Sequence, residues 1–502
     1  MPRCFLLLLG ALTALRGAID PTATVVVANA RVPAGVALAE EFSRHRGIPA
    51  ANLIVLDLPT DETIAWPQYG EQLLNPLRAK LRAAGLLAGE LGTETDARGR
   101  RDFVPTAAPK LAWLVLVHGV PLRIRASGLK TPAAPKGGLS GDQACVDSEL
   151  ALLATVNLDP DGAKRNPWFG HATLTGASAG EVIRTARLDG ATVEDARRAL
   201  LGAWRAEAQG LRGRAYVDSG GPYHAADTWF KDAAETTGKL GFPTDLETTR
   251  QQFGPKARAD APAFYLGWYS QKPEGRFAAP DVQLAPGAIA LHLHSFSAET
   301  LRQPTTNWAP WLVQQGAAHV SGNVFEPYLE YTLRPDLLLA GLAQGLSAGE
   351  AAWYATPAVS WQGVILGDPF YRPLAHDLGQ QLADQRDRPD ELAPYVTLRA
   401  AELAGSTHAL SGLEEAQRLS PSLPVAWAIV QAQARQGLPI RWTLPPETDL
   451  TRADAGLLWE IGLFLEKNGH KDPALAAFRA LQARPRWKDD PELKTHLEAL
   501  SR

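Results

Sequence analysis

From Thr24 to about Pro373, short apolar runs alternate with longer amphipathic stretches. The run Ala23-Thr24-Val25-Val26-Val27-Ala28 has no polar face and predicts a buried strand. A helical pattern containing Val36, Leu38, Ala39 and Phe42 follows. Residues 52–56 predict a second strand, 69–84 a helix, and 111–117 a further strand. Residues 193–207 predict a helix with Ala199, Leu200, Ala203 and Trp204 on one side. More apolar runs fall at 214–218, 263–267, 288–294 and 317–322. Helices are expected over 336–344 and from Ser347, before Ile365-Leu366-Gly367-Asp368-Pro369 closes the region. Apolar strands interleaved with amphipathic helices predict a mostly parallel sheet with helices on both faces. The Gly-, Pro- and Lys-rich residues 127–142 read as a surface loop.

From residue 374 to 502 the strand signals stop, and Ala, Leu, Glu, Gln and Arg dominate. The series Trp459, Gly462, Leu465, Gly469, Ala474, Ala477, Phe478, Leu481, Pro485 resembles a tetratricopeptide (TPR) helical hairpin. In such a unit small residues let two helices approach closely and Pro closes the repeat. The expected organisation is residues 1–18, an α/β domain over 19–373, and an α-helical tail over 374–502.

Composition narrows the classes. A net charge of -4 and no Lys/Arg cluster argue against nucleic acid as a partner. Arg3, the apolar residues from Cys4 to Leu15 and the small residues near Ala18 read as an export signal. The expected location is therefore periplasmic or secreted, with no transmembrane span once the signal is removed. Cys145 is then the last cysteine of the mature chain, so no internal disulfide is expected. It reads as a small buried residue.

Several polar residues fall near expected strand C-termini, where α/β sheets keep their ligand sites: Asp147, Glu149, Asp218, His292, His294 and Glu326. His292 and His294 form a His-x-His pair on one strand face if the strand stays extended, and with Asp218 they are candidate ligands for a divalent metal. Trp268, Tyr269, Tyr223, Trp229 and Tyr328 would ring a cleft with aromatics, as suits a peptide or a sugar. Asn323 follows a strand of small residues and is a further cleft candidate.

In chain order these pieces resemble the catalytic region of gingipain-type cysteine peptidases, which have a caspase-like fold. The resemblance runs through His45-Arg46-Gly47-Ile48-Pro49, Val117-His118-Gly119-Val120-Pro121, Asp147-Ser148-Glu149, Thr185-Ala186-Arg187-Leu188-Asp189-Gly190 and Leu366-Gly367-Asp368-Pro369. The chain also resembles a family of exported bacterial proteins with no assigned activity, through Gly267-Trp268-Tyr269-Ser270, His292-Leu293-His294-Ser295-Phe296-Ser297 and Gly322-Asn323-Val324-Phe325-Glu326-Pro327-Tyr328. The peptidase resemblance implies a catalytic His after one strand and a catalytic Cys after the next. Here those loops carry Trp268 and, without any cysteine, Ser295 and Ser297. It also implies a structural calcium as one cofactor option.

Two functions follow. One is a pseudo-peptidase, a binding module for a peptide or protein, with a helical tail that binds protein partners. The other is an atypical, peptidase-like hydrolase with a rebuilt Ser/His or metal-assisted site. Ser297 in a loop that folds back, or Ser295, would be the nucleophile, and His294, or His118 from across the cleft, the base.

Overall fold

The computed structural model describes residues 20–129, 141–174, 181–387, 389–442, 450 and 453–501. The expected export signal and much of the 127–142 loop lie outside the described residues.

The centre is a ten-stranded sheet. Its strands are β1 (Thr24–Asn29), β2 (Leu53–Leu56), β3 (Trp113–Val117), β4 (Arg184–Leu188), β5 (Arg214–Asp218), β6 (Thr244–Glu247), β7 (Pro262–Gly267), β8 (Ile289–His292), β9 (His319–Asn323) and β10 (Gly363–Gly367). Their spatial order is β6-β5-β7-β8-β9-β10-β4-β3-β1-β2. Within each half the pairing is parallel, but β9 and β10 meet antiparallel, with His319 opposite Gly367 and Asn323 opposite Gly363. The sheet is therefore mostly parallel, as the alternation predicts, with one reversal in its middle. That reversal sends the C-terminal ends of the two halves to opposite edges. Asp218, Gly267, His292 and Asn323 end strands at one edge; Asn29, Val117, Leu188 and Gly367 end strands at the other.

Apolar runs make these strands because both sheet faces are covered. On one face α1 (Pro33–Arg46) and part of α2 (Val193–Gln209) pack on Val26, Val115 and Val117. On the same chain's later half, α3 (His224–Lys239), α4 (Pro335–Ala343) and α5 (Ala348–Ala355) bury Val217, Leu266 and Leu291. The opposite face buries Tyr216, Tyr265 and Ala290 under Trp308 and Leu312. Thr192 caps α2, accepting from the Asp195 N–H at 3.1 Å while Asp195 returns the bond.

After β10 the described chain is helical: α6 (Leu378–Asp387), α7 (Ala393–Ala404), α8 (Ser406–Leu419), α9 (Leu423–Arg435), α10 (Ala455–Lys467), α11 (Lys471–Gln482) and α12 (Pro491–Leu500). Gly462 of α10 lies against Phe478 of α11, where a Cβ would come within 2.3 Å of the ring. These helices are tied to the sheet through Asp260, just before β7. Its carboxylate accepts from Tyr395 Oη at 2.8 Å, from Tyr216 Oη at 3.0 Å and from Arg258 at 2.7 Å. Lys256 reaches Asp490 at 2.7 Å. The Asp260 tether adjoins the N-terminal ends of β5 and β7, so it lies away from the edge that carries Gly267 and His292. Among the described residues no helix is long and apolar enough to cross a membrane.

Candidate functional site

The edge formed by the ends of β7, β8 and β9 gathers most of the candidate side chains. Its buried base is a polar pair. Tyr265 Oη and His292 Nδ1 are 3.1 Å apart above Gly267. A Cβ on Gly267 would sit 2.5 Å from Tyr265 Oη and 2.9 Å from His292 Nδ1, so only glycine fits. The Ser270 N–H donates to His292 Nε2 at 3.1 Å, which leaves the ring proton on Nδ1 to be donated to Tyr265. Trp308 stacks on the imidazole at 3.9 Å and 8°. Burial, with His294 adding, holds His292 well below the usual imidazole range, so the ring is neutral and both nitrogens are used.

β8 ends at His292, so the expected extended strand through His294 is not formed. Leu293 still donates to Gly267 O, and the chain then turns through Phe296, at φ 60°. His292 consequently faces the buried layer, while His294 is half-buried in a cleft of about 560 Å³. Burial lowers the pKa of His294, against the opposing effects of the Ser295 carbonyl and Glu326. Its Nδ1 is in hydrogen-bond contact with the Ser295 carbonyl, and its ring lies 4.6 Å from that of Tyr269.

Trp268, Tyr269, Asn323 and Glu326 all line this cleft, together with Tyr223 and Tyr328. Trp268 is only 2% exposed. Its Nε1 donates to Asp227 Oδ1 at 3.2 Å, an oxygen that also accepts the Gly220 and Gly221 N–H groups at 2.7 and 3.0 Å. Gly221 lies flat on the indole, where a Cβ would meet Cε2 at 2.2 Å. Tyr223, Tyr269 and Tyr328 are 53%, 42% and 42% exposed. Ser295 Oγ donates to Glu326 Oε2 at 2.7 Å, and the Tyr328 N–H donates to Glu326 Oε1 at 2.9 Å. Tyr328 has φ 59° and ψ 149°, a region otherwise kept for glycine. Asn323 spans the back, with Nδ2 donating to Thr332 Oγ1 at 3.2 Å.

Other candidates are elsewhere. Ser297 is buried, and its Oγ accepts from the Asn323 N–H at 3.1 Å rather than facing an imidazole. His118 directly follows β3, at the opposite sheet edge, with Nδ1 2.7 Å from Asp189 Oδ1. It is therefore not across the cleft from His294. Asp147 does not reach the cleft either: it is buried against Arg187 at 2.6 Å, with the Cys145 thiol 3.5 Å from its Oδ2. Glu149 is buried and accepts from the Ser360 hydroxyl. Asp218 is 1% exposed, neither oxygen has a well-aligned hydrogen bond among the described residues, and burial, opposed by the nearby Phe253 N–H and aided by Glu247, pushes it up to about 8. Trp229 lies outside the cleft, under the Arg334 guanidinium at 4.2 Å.

The metal expectation for His292, His294 and Asp218 fails on geometry. Among the described residues no group of three or more His, Cys, Asp or Glu side chains could hold a metal ion. His292 has no lone pair left to give, and His294 lines the cleft against Tyr269.

Sequence reading assigned no role to Asp227 or Ser270. A Gly-Gly pair ahead of an acidic first helical turn is the available signal for Asp227. Ser270 stands inside a quoted motif, but its backbone bond to His292 has no sequence signature.

No family model matches this chain, and no curated protein does. Among solved structures, one described as "Structure of Protease" aligns over 70% of this chain and 79% of its own, at 12% identity and a TM-score of 0.35. A likeness at that score carries no argument about activity.

Proposed function

We propose that this chain is a ligand-binding module on a gingipain-like sheet, a pseudo-peptidase whose cleft holds a peptide or protein segment without cutting it. The observation that carries this reading is the Ser295–Glu326 hydrogen bond beside a buried Trp268. The position after β7 holds an indole that cannot take a proton, and the hydroxyl after β8 is given to a carboxylate instead of an imidazole. The exposed tyrosines around it supply contact area at low entropic cost. The chain acts outside the cytoplasm in this reading, after loss of residues 1–18. Residues 374–502 form a TPR-like tail that meets protein partners, and the division at 373/374 separates the two roles.

The second reading is an atypical hydrolase. It is favoured by one fact: Ser295, Glu326 and His294 share one cleft. Glu326 would take the Ser295 proton, and His294 would shuttle it.

A peptide-library digest read by mass spectrometry separates the two, run beside binding of the same library to immobilised protein. Retained peptides without cleavage support the module. Cleavage lost in both Ser295→Ala and Glu326→Gln establishes the hydrolase. Neither retention nor cleavage overturns both readings.

A further inference from the structure

The cleft is acidic and aromatic at once. Tyr223 and Tyr269 stand at 87° with ring centroids 6.4 Å apart, so the two exposed rings make a corner, backed by the buried Trp268 at 86° to Tyr269. Glu326 and Glu330 lie among the lining residues, and no lysine or arginine does among the described residues. The face of an aromatic ring carries negative potential, and a carboxylate adds to it. Burial lowers the pKa of His294, which weakens any opposing charge on its imidazole.

The carboxylate itself narrows the kind of cation. Both Glu326 oxygens already accept, one from Ser295 Oγ and one from the Tyr328 N–H. Its charge remains available, but its best-placed lone pairs are engaged. A primary ammonium carries three N–H donors that need acceptors when desolvated. An alkylated ammonium needs only charge and apolar contact, which perpendicular ring faces and a fixed carboxylate supply.

Resting on the reading of the cleft as a binding site, we infer that the corner formed by Tyr223 and Tyr269 beside Glu326 selects a trimethylammonium group. That group reaches the cleft either free or as the end of a methylated lysine side chain.

Isothermal titration of the full chain tests this with five probes: choline, its neutral carbon isostere 3,3-dimethylbutan-1-ol, ammonium chloride, a trimethyl-lysine peptide and its unmethylated twin. Choline is expected to bind saturably, and the isostere and ammonium about tenfold or more weaker. A methylated peptide that binds tighter than choline assigns the group to a peptide, and equal affinities assign it to a free ligand. Tyr269→Leu and Tyr223→Leu are expected to weaken choline about fivefold each, with unchanged unfolding midpoints. If a variant unfolds, the choline-to-isostere ratio on the unaltered chain still decides. Equal binding of choline and its neutral isostere overturns the inference. So does retention of unmethylated library peptides with no response to any trimethylammonium probe, an outcome that leaves the binding-module reading standing.

Discussion

Ser295 and Glu326, 31 residues apart in sequence, join the loops after β8 and β9 through a 2.7 Å hydrogen bond. The same carboxylate holds the Tyr328 backbone, whose φ of 59° is unfavourable for a side-chain-bearing residue. Glu326 is thus a tether between two loops. Glu326→Ala is expected to cost about 1 kcal/mol in urea unfolding, because both donors can turn to water at this exposed site. Glu326→Gln should cost less, since the amide oxygen still accepts. An unaltered midpoint in Glu326→Ala would show that the loops hold each other by other means.

Gly267 is the contact point on which His292 and Tyr265 rest. Gly267→Ala puts a methyl into the space of both polar atoms, and the surrounding Trp308 and Phe277 rings leave no room to yield. The expected cost is about 1–3 kcal/mol from overpacking, more if the Tyr265–His292 bond breaks. Equilibrium unfolding measures it. A neutral result would mean that the Tyr265 ring swings clear.

The two halves of the sheet differ in what sequence could reveal. Strands such as Trp113–Val117 and Pro262–Gly267 are buried on both faces, so each had to be an apolar run. Strand Thr244–Glu247 carries Thr, Asp and Glu around one Leu and was missed; it is an edge strand, with no second neighbour to demand apolar residues. The alternation of strands and helices predicts parallel pairing overall but does not mark which single pair departs from it. The antiparallel join of β9 to β10 was therefore invisible, and with it the removal of His118 to the far edge. Trp268, Tyr269, Asn323 and Glu326, singled out for their place after strand ends, line one cleft because those strands are neighbours in the sheet. Asp147, Glu149 and Asp218 looked alike in sequence but are buried, the first two against Arg187 and Ser360 from distant segments.

Asp260 shows how firmly the helical tail is attached. Against the upward push of burial, Arg258 and Arg214 hold its carboxyl well below the usual range, and Tyr395 of α7 donates to it. Tyr395→Phe removes one neutral donor and should cost about 1–2 kcal/mol. Asp260→Asn leaves the buried Arg258 with only the longer contact to Glu460, at 3.7 Å, and should cost about 3–5 kcal/mol. Limited proteolysis offers a second reading, with faster cleavage between β10 and α7 in both variants. Equal protection in all three proteins would mean that other contacts, such as Lys256 with Asp490, suffice to hold the tail.

Asp218 gives the fold a pH dependence whose sign is fixed. In the unfolded chain an aspartate titrates near 4, whereas burial pushes Asp218 up to about 8 in the folded protein. Between those values the folded state holds a proton that the unfolded state has released. Its contribution is therefore fully present below about pH 4 and is lost as pH rises toward 8, at up to about 1.4 kcal/mol per pH unit. Asp218→Asn keeps the shape and removes the titration. The variant should gain on the parent steadily between pH 5 and pH 8, and be the more stable of the two at pH 8. Urea unfolding at pH 5, 6.5 and 8 checks this. A constant difference between the two proteins across that range would mean that the Asp218 carboxyl does not change its proton on unfolding, and that a donor such as the nearby Phe253 N–H compensates its charge.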